Sequence, residues 1–198
     1  QYFGQRSNGV QGTVAVGDRY GASLASSDLN GDGFDDIVVG IPDDQRCWGY
    51  IGVCGSVGAI NILYGTANGV TVENNQYFGQ RSNGVQGTVA VGDEFGAFVT
   101  TGDLNSDSYA DIIIGIPGER IGSRNNAGAV SVLYGTANGT TATDDTYLYV
   151  SQSSFTGISQ SNARFGTSVA VIDEDLIIGA PGTNVGGATN AGSIYYLQ

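Results

Sequence analysis

The chain has 198 residues, 40% hydrophobic and only 13% charged, a length that fits one domain or one array of small repeats. The hydrophobic share is too high for a disordered chain, and no apolar run reaches the length of a membrane span, so no membrane insertion is expected. Nineteen acidic residues against seven arginines give a net charge of −12, a surface that repels nucleic acid and anionic lipid. There is no histidine, which excludes Ser-His-Asp and Cys-His catalysis and His-ligated zinc. Val, Ile, Tyr and Thr abound while Lys and Met are absent, so an all-β chain is expected. Glycine fills 33 positions, well above the usual level of about 7%, which implies many turns.

In chain order, the first element is QYFGQRSNGVQGTVAVGD at Gln1–Asp18, which recurs letter for letter at Gln76–Asp93. Its opening, Gln1, Tyr2, Phe3, Gly4 and Gln5, reads as a strand. An aromatic-glycine strand follows at Tyr20, then the acidic loop DLNGDGFDD, then the β-branched run IVVGIP. Beyond the cysteine stretch CWGYIGVC, GAINILYG alternates with the period of a strand. The same series returns from Phe95 and, shortened, from Phe165. Repeats at such a period define the architecture. The expected division is one array over 1–198: an N-terminal outer strand and linker (1–19) and units at 20–80, 95–151 and 165–198. The third lacks its outer strand, and a divergent QYFGQ-type strand is expected near Tyr147–Ser151.

Aromatic-Gly, then DxNxDGxxD, then an apolar strand ending in Gly-x-Pro resembles the FG-GAP repeats of the integrin α-subunit β-propeller and of related extracellular and lectin-like propellers. The likeness covers essentially the whole chain. It implies three four-stranded antiparallel blades, with calcium held in the loop between the first two strands of a blade. Propellers close with about four to eight blades, so three would form an open, incomplete array.

The loop chemistry can also be read directly. Asp28, Asn30, Asp32 and Asp36 offer oxygen side chains, and the Phe34 carbonyl can add another. Hard oxygen donors of this kind suit Ca²⁺ better than transition metals, though a solvated Asx-rich turn has the same composition. Asp103, Asn105, Asp107 and Asp111, with the Tyr109 carbonyl, repeat the set. Ser108 stands where Gly33 stood, and weaker binding is expected there. The third unit keeps only Asp173-Glu174-Asp175, expected to be a plain hairpin turn. Two structural calcium sites follow.

Cys47 and Cys54 are expected to form a local disulfide, consistent with export from the cell; two free thiols are the alternative. Trp48 and Tyr50 either stack on a sugar or partner, or cover that disulfide. Asn138-Gly139-Thr140 is a glycosylation sequon in an expected turn. A chain that opens at Gln1 without methionine reads as a processed product or a segment. No activated nucleophile can be named, so an enzyme is not expected. The favoured function is an extracellular structural protein that assembles head to tail into a fibre. In that scheme Gln1–Gln5 completes the third blade of a neighbouring copy. The alternative is an adhesion propeller that binds glycans or an extracellular protein, with a two-chain, six-bladed ring as one form.

Overall fold

The computed structural model describes residues 1–48, 53–151, 155 and 157–198, within which all regular structure is strand. In the first unit, β1 (Ser23–Ser27) pairs with β2 (Asp36–Ile41). A separate hairpin, β3 (Gln45–Trp48) and β4 (Val53–Ser56), is inserted before β5 (Ala59–Leu63), which pairs with β2 and with β6 (Gln76–Phe78). The second unit is a meander of β7 (Phe98–Gly102), β8 (Asp111–Ile116), β9 (Ala129–Tyr134) and β10 (Thr141–Leu148). The third holds β11 (Ser168–Ile172), β12 (Asp175–Ala180) and β13 (Ser193–Leu197). Every pairing within these sheets is antiparallel. Among the described residues, no sheet closes on itself.

Hydrophobic packing joins successive sheets face to face. One cluster combines Val38, Ile60 and Ile62 of the first unit with Phe95, Ile112, Ile114 and Ile116 of the second. Another combines Ile113, Val130 and Val132 with Phe165, Leu176 and Ile178 of the third. The middle sheet is covered on both sides, so β8 is buried at all six positions and reads as an unbroken apolar run. In the third sheet β13 alternates, with Ile194 and Tyr196 exposed.

The aromatic-glycine openings make the joints. Phe95 bridges Gly58 in parallel, its N–H donating to the Val57 carbonyl at 3.1 Å. Phe165 bridges Gly128 and donates to the Ala127 carbonyl at 3.0 Å. Both rings are fully buried. The following glycine backbone then comes close to the preceding sheet: a Cβ on Gly40 would lie 2.2 Å from the Gly96 oxygen, and one on Gly115 2.1 Å from the Gly166 oxygen. Only glycine leaves room for such an approach.

The two identical 18-residue segments make matching contacts on non-identical supports. Gln5 donates to Asp44 where Gln80 donates to Glu119, and Gln11 donates to Asn75 where Gln86 donates to Asp145. They differ at one point. Gln76–Phe78 is strand β6, whereas Gln1–Gln5 lies in no strand. β10 also begins at Thr141, well before the expected Tyr147–Ser151, and contains only Tyr147 and Leu148 of that segment. A register shift between Thr141 and Thr146, with Asp144 at φ 56°, interrupts its alternation and hides the strand's first half.

Two substitutions should expose the joints. Gly115→Ala should cost about 3 kcal/mol or more through overpacking, and Phe95→Ala about 3–5 kcal/mol through an unfilled core site. Urea unfolding measures both, and a loss under about 1 kcal/mol for either would contradict this packing.

Candidate functional site

The β1–β2, β7–β8 and β11–β12 connections of successive units meet one another. Gly31 of the first loop packs against the Tyr109 ring of the second, since a Cβ there would meet it at 2.7 Å. Ser106 of the second loop donates to Glu174 of the third connection.

In the first loop, Asp28 closes the turn. Its Oδ1 accepts from the Gly31 N–H at 2.7 Å and the Asp32 N–H at 3.1 Å, and its Oδ2 from the Gly33 N–H at 2.8 Å. Asn30 Oδ1 accepts from the Asp32 N–H, and Asp32 Oδ1 from the Phe34 N–H at 2.9 Å. Asp36 differs from these half-buried and exposed side chains in its burial. It is fully buried at the start of β2 and accepts from the Leu29 N–H at 3.0 Å and the Gly65 N–H at 2.8 Å. Burial pushes its carboxyl up to about 6, with Asp32 and Asp28 adding to the effect and the two N–H groups opposing it.

The second loop repeats this plan. Asp103 accepts from the Asp107 and Ser108 N–H groups, Asn105 from Asp107, and Asp107 from Tyr109. Asp111 is buried and accepts from Leu104 and Gly135, and burial raises its proton affinity. Ser108 has φ 72° and Ser106 φ 59°, left-handed values that Gly33 and Gly31 adopt in the first loop. Ser106 was not singled out in the sequence, although its alignment with Gly31 was visible. In the third unit, Asp173 and Glu174 alone link β11 to β12, with Ile172 paired to Asp175.

The donors are all hard oxygens, which fits Ca²⁺ in chemical type. The Phe34 and Tyr109 carbonyls belong to the same two turns. Among the described residues, no three acidic side chains already surround one point, because the Asp28 and Asp103 oxygens turn toward backbone N–H groups. Asp28 Oδ1 already accepts two N–H groups, whereas Asp28 Oδ2 and Asp32 Oδ1 each accept one and retain a lone pair for a cation.

Cys47 and Cys54 are joined by a disulfide across the β3–β4 hairpin. The stretch reads as a loop in the sequence because its strands are only four residues each. Trp48 ends β3, while Tyr50 lies outside the described residues. Asn138 is exposed in a turn, but Thr140 of its sequon is 4% exposed and its N–H donates to Gln76 at 2.9 Å.

A second acidic feature was not legible in the sequence. Asp93 and Glu119, distant in the chain, are both 2% exposed and mutually close. Asp93 accepts from the Ala90 N–H; Glu119 accepts from Gln80 and is hydrogen-bonded by Tyr147 and the Thr88 backbone. Burial raises Asp93 to about 6; burial and then Asp93 raise Glu119 to about 7. The matching pair in the first unit, Asp18 and Asp44, has Arg46 against Asp44 at 3.3 Å.

Comparison with known proteins decides the family. The FG-GAP repeat model matches residues 20–53 and 95–133, and a second FG-GAP repeat model matches 159–197. The chain belongs to the FG-GAP repeat family. It is 35% identical over 130 residues to integrin alpha-X of Mus musculus, covering 64% of this chain and 9% of that protein. It is 29% identical over 189 residues to phosphatidylinositol-glycan-specific phospholipase D of Dictyostelium discoideum, covering 88% of this chain and 19% of that protein. The mouse phospholipase D is 33% identical over 106 residues, covering 50% of this chain and 12% of that protein. The chain thus spans less than a fifth of the length of these relatives.

Two outcomes follow. Ser108→Gly should stabilise the second loop by about 1 kcal/mol by relieving a left-handed non-glycine residue, as chemical denaturation would show. The Asp93–Glu119 pair binds protons more tightly folded than unfolded. Its contribution is therefore full below about pH 4 and lost as pH rises through about 6 to 7. Glu119→Gln should accordingly gain stability over the native chain at pH 8 relative to pH 5, with calcium held constant. An unchanged difference between the two pH values would contradict the coupling.

Proposed function

We propose that this chain is a non-enzymatic, extracellular FG-GAP scaffold of adhesion type, stabilised by calcium in two loops. The observation that carries the reading is the duplicated oxygen-donor loop, set between the first two strands of units that match the FG-GAP repeat models. Asp28, Asn30, Asp32, the Phe34 carbonyl and Asp36 would hold one ion. Asp103, Asn105, Asp107, the Tyr109 carbonyl and Asp111 would hold the other. A bound cation would relieve the repulsion that Asp28 and Asp32 exert on buried Asp36. The Cys47–Cys54 disulfide supports an oxidising, extracellular setting. Relatedness to integrin alpha-X supports adhesion.

Self-assembly is a second reading, favoured by one observation. Gln1–Phe3 repeats the residues of β6 yet lies in no sheet, while β13 has β12 as its described strand partner. Removing residues 1–5 should then abolish concentration-dependent scattering; unchanged scattering would rule this reading out.

Calcium at ten times its dissociation constant contributes about 1.4 kcal/mol per site. Excess chelator should therefore lower the melting temperature by several degrees, and Asp32→Ala should reproduce part of that loss. An identical melting curve in chelator would contradict the calcium role. A panel of immobilised glycans and extracellular-matrix proteins should show calcium-dependent binding, and silence with calcium present would contradict the adhesion reading.

A further inference from the structure

The two joints within the chain are one contact used twice, and each end of the array carries half of it. In the first joint Val38, Ile60 and Ile62 form the receiving face, with Val38 paired to Ile62 and Gly40 to Ile60. In the second, Ile113, Val130 and Val132 hold the same places, with Ile113 paired to Val132 and Gly115 to Val130. The third sheet repeats this register: Ile177 pairs with Tyr196 and Gly179 with Ile194. Ile60, Ile62, Val130 and Val132 are buried, whereas Ile194 is 78% and Tyr196 52% exposed.

The backbone of this face repeats as well. Gly192 has φ 80°, against 87° for Gly58 and Gly128. A Cβ on Gly58 would strike the Phe95 oxygen at 2.2 Å, and one on Gly128 the Phe165 oxygen at 2.1 Å. On Gly192 its nearest neighbour is Pro181 at 3.6 Å. Ser168, paired with Gly179, stands where Ser23, paired with Gly40, donates to the Gly96 carbonyl at 2.8 Å. A cavity of about 550 Å³, walled in part by Ser168, Gly179, Gly192 and Ile194, opens there.

The opposite end carries the other half. Tyr20-Gly21 corresponds to Phe95-Gly96 and Phe165-Gly166, and Gly21 at φ 87° matches Gly96 at 83° and Gly166 at 87°. A Cβ on Gly96 or Gly166 would lie 2.4 Å from the Ala59 or Ala129 oxygen of the preceding sheet; one on Gly21 meets nothing within 4 Å. Leu24 is 64% exposed, while its counterparts Val99 and Val169 are buried in the joints.

We propose that Tyr20-Gly21 and Leu24 of a second copy dock on Ile177, Ile194 and Tyr196 of the third sheet, continuing the array from chain to chain. The surface continues the two established joints, and Tyr20-Gly21 is the unit opening that no preceding sheet receives among the described residues. Its Arg19 and Tyr20 N–H groups would donate to the Asn190 and Ala191 carbonyls, as Arg164 and Phe165 donate to Asn126 and Ala127. The register brings Arg19 near Arg164, but each is already held by an acid, Asp43 and Glu94. The proposal rests on the self-assembly reading and names a face for it, separate from the Gln1–Gln5 strand. The contact is heterologous, joining unlike faces. A net charge of −12 on each copy opposes it, so screening by salt favours assembly.

The test is sedimentation velocity on the full chain, with calcium constant, at up to about 1 mM, enough to populate millimolar pairing. The native chain should form oligomers whose share rises with protein concentration and with salt. Leu24→Asp and Ile194→Asp, both exposed substitutions, should each weaken assembly about tenfold or more, since the contact would bury an unpaired carboxylate. Mixed one to one, the two variants should form a dimer that grows no further, because each supplies the face the other lacks. A native chain that stays monomeric, or oligomers that salt dissolves, overturn the proposal. So does a mixture that stays monomeric. Leu24→Asp assembling like the native chain also overturns it, and means that the third sheet meets its like or another surface. Removing residues 1–5 separates the two contacts. Assembly that survives the deletion ends strand donation alone; assembly lost there but intact in both aspartate variants ends the face contact alone.

Discussion

The structure depends on a backbone contact between units. Phe95 and Phe165 enter the preceding sheet, bridge Gly58 and Gly128, and bring the next glycine carbonyl against Gly40 and Gly115. Buried aromatic rings supply much of the apolar driving force at such a joint. The glycine approach sets its geometry, since a Cβ at either position would collide with backbone oxygen. Because successive sheets share their cores, the chain is a short one-dimensional array whose units are stabilised by neighbours.

That constraint also positions the candidate sites. With the sheets stacked in register, the first and second acidic loops meet through Gly31 and Tyr109, and the second meets the third connection through Ser106 and Glu174. The connector from one sheet to the next lays Gln80 and Arg81 beside the inserted hairpin. Duplication explains the common frame, and divergence explains the chemistry. Arg46 sits against Asp44 in the first unit, while in the second Glu119 lies beside Asp93.

Much of this was legible in the sequence. The repeated aromatic-glycine, acidic-loop and β-branched series marked β1, β2, β7, β8, β11 and β12, because each short strand lies between loud turn signals. The placement of the two acidic loops between β1 and β2 and between β7 and β8 was legible for the same reason, whereas the contact of Ser106 with Glu174 was not. The β3–β4 hairpin was not, since glycines and cysteines mask its pairing, and the first half of β10 was not, since its bulge breaks the alternation. Gln1–Gln5 repeats the residues of a strand, Gln76–Phe78, yet lies in none, so local sequence does not decide that element. The buried pair Asp93 and Glu119 comes from residues 26 positions apart, which no local pattern joins.

Coupling of the units is tested most directly by hydrogen exchange on a Phe165→Ala variant. If the aromatic-glycine joint stabilises both partners, amides of β8 and β9 in the second unit should exchange faster, together with those of β11, β12 and β13. Acceleration confined to β11–β13, with β8 and β9 protected as in the native chain, would contradict the account.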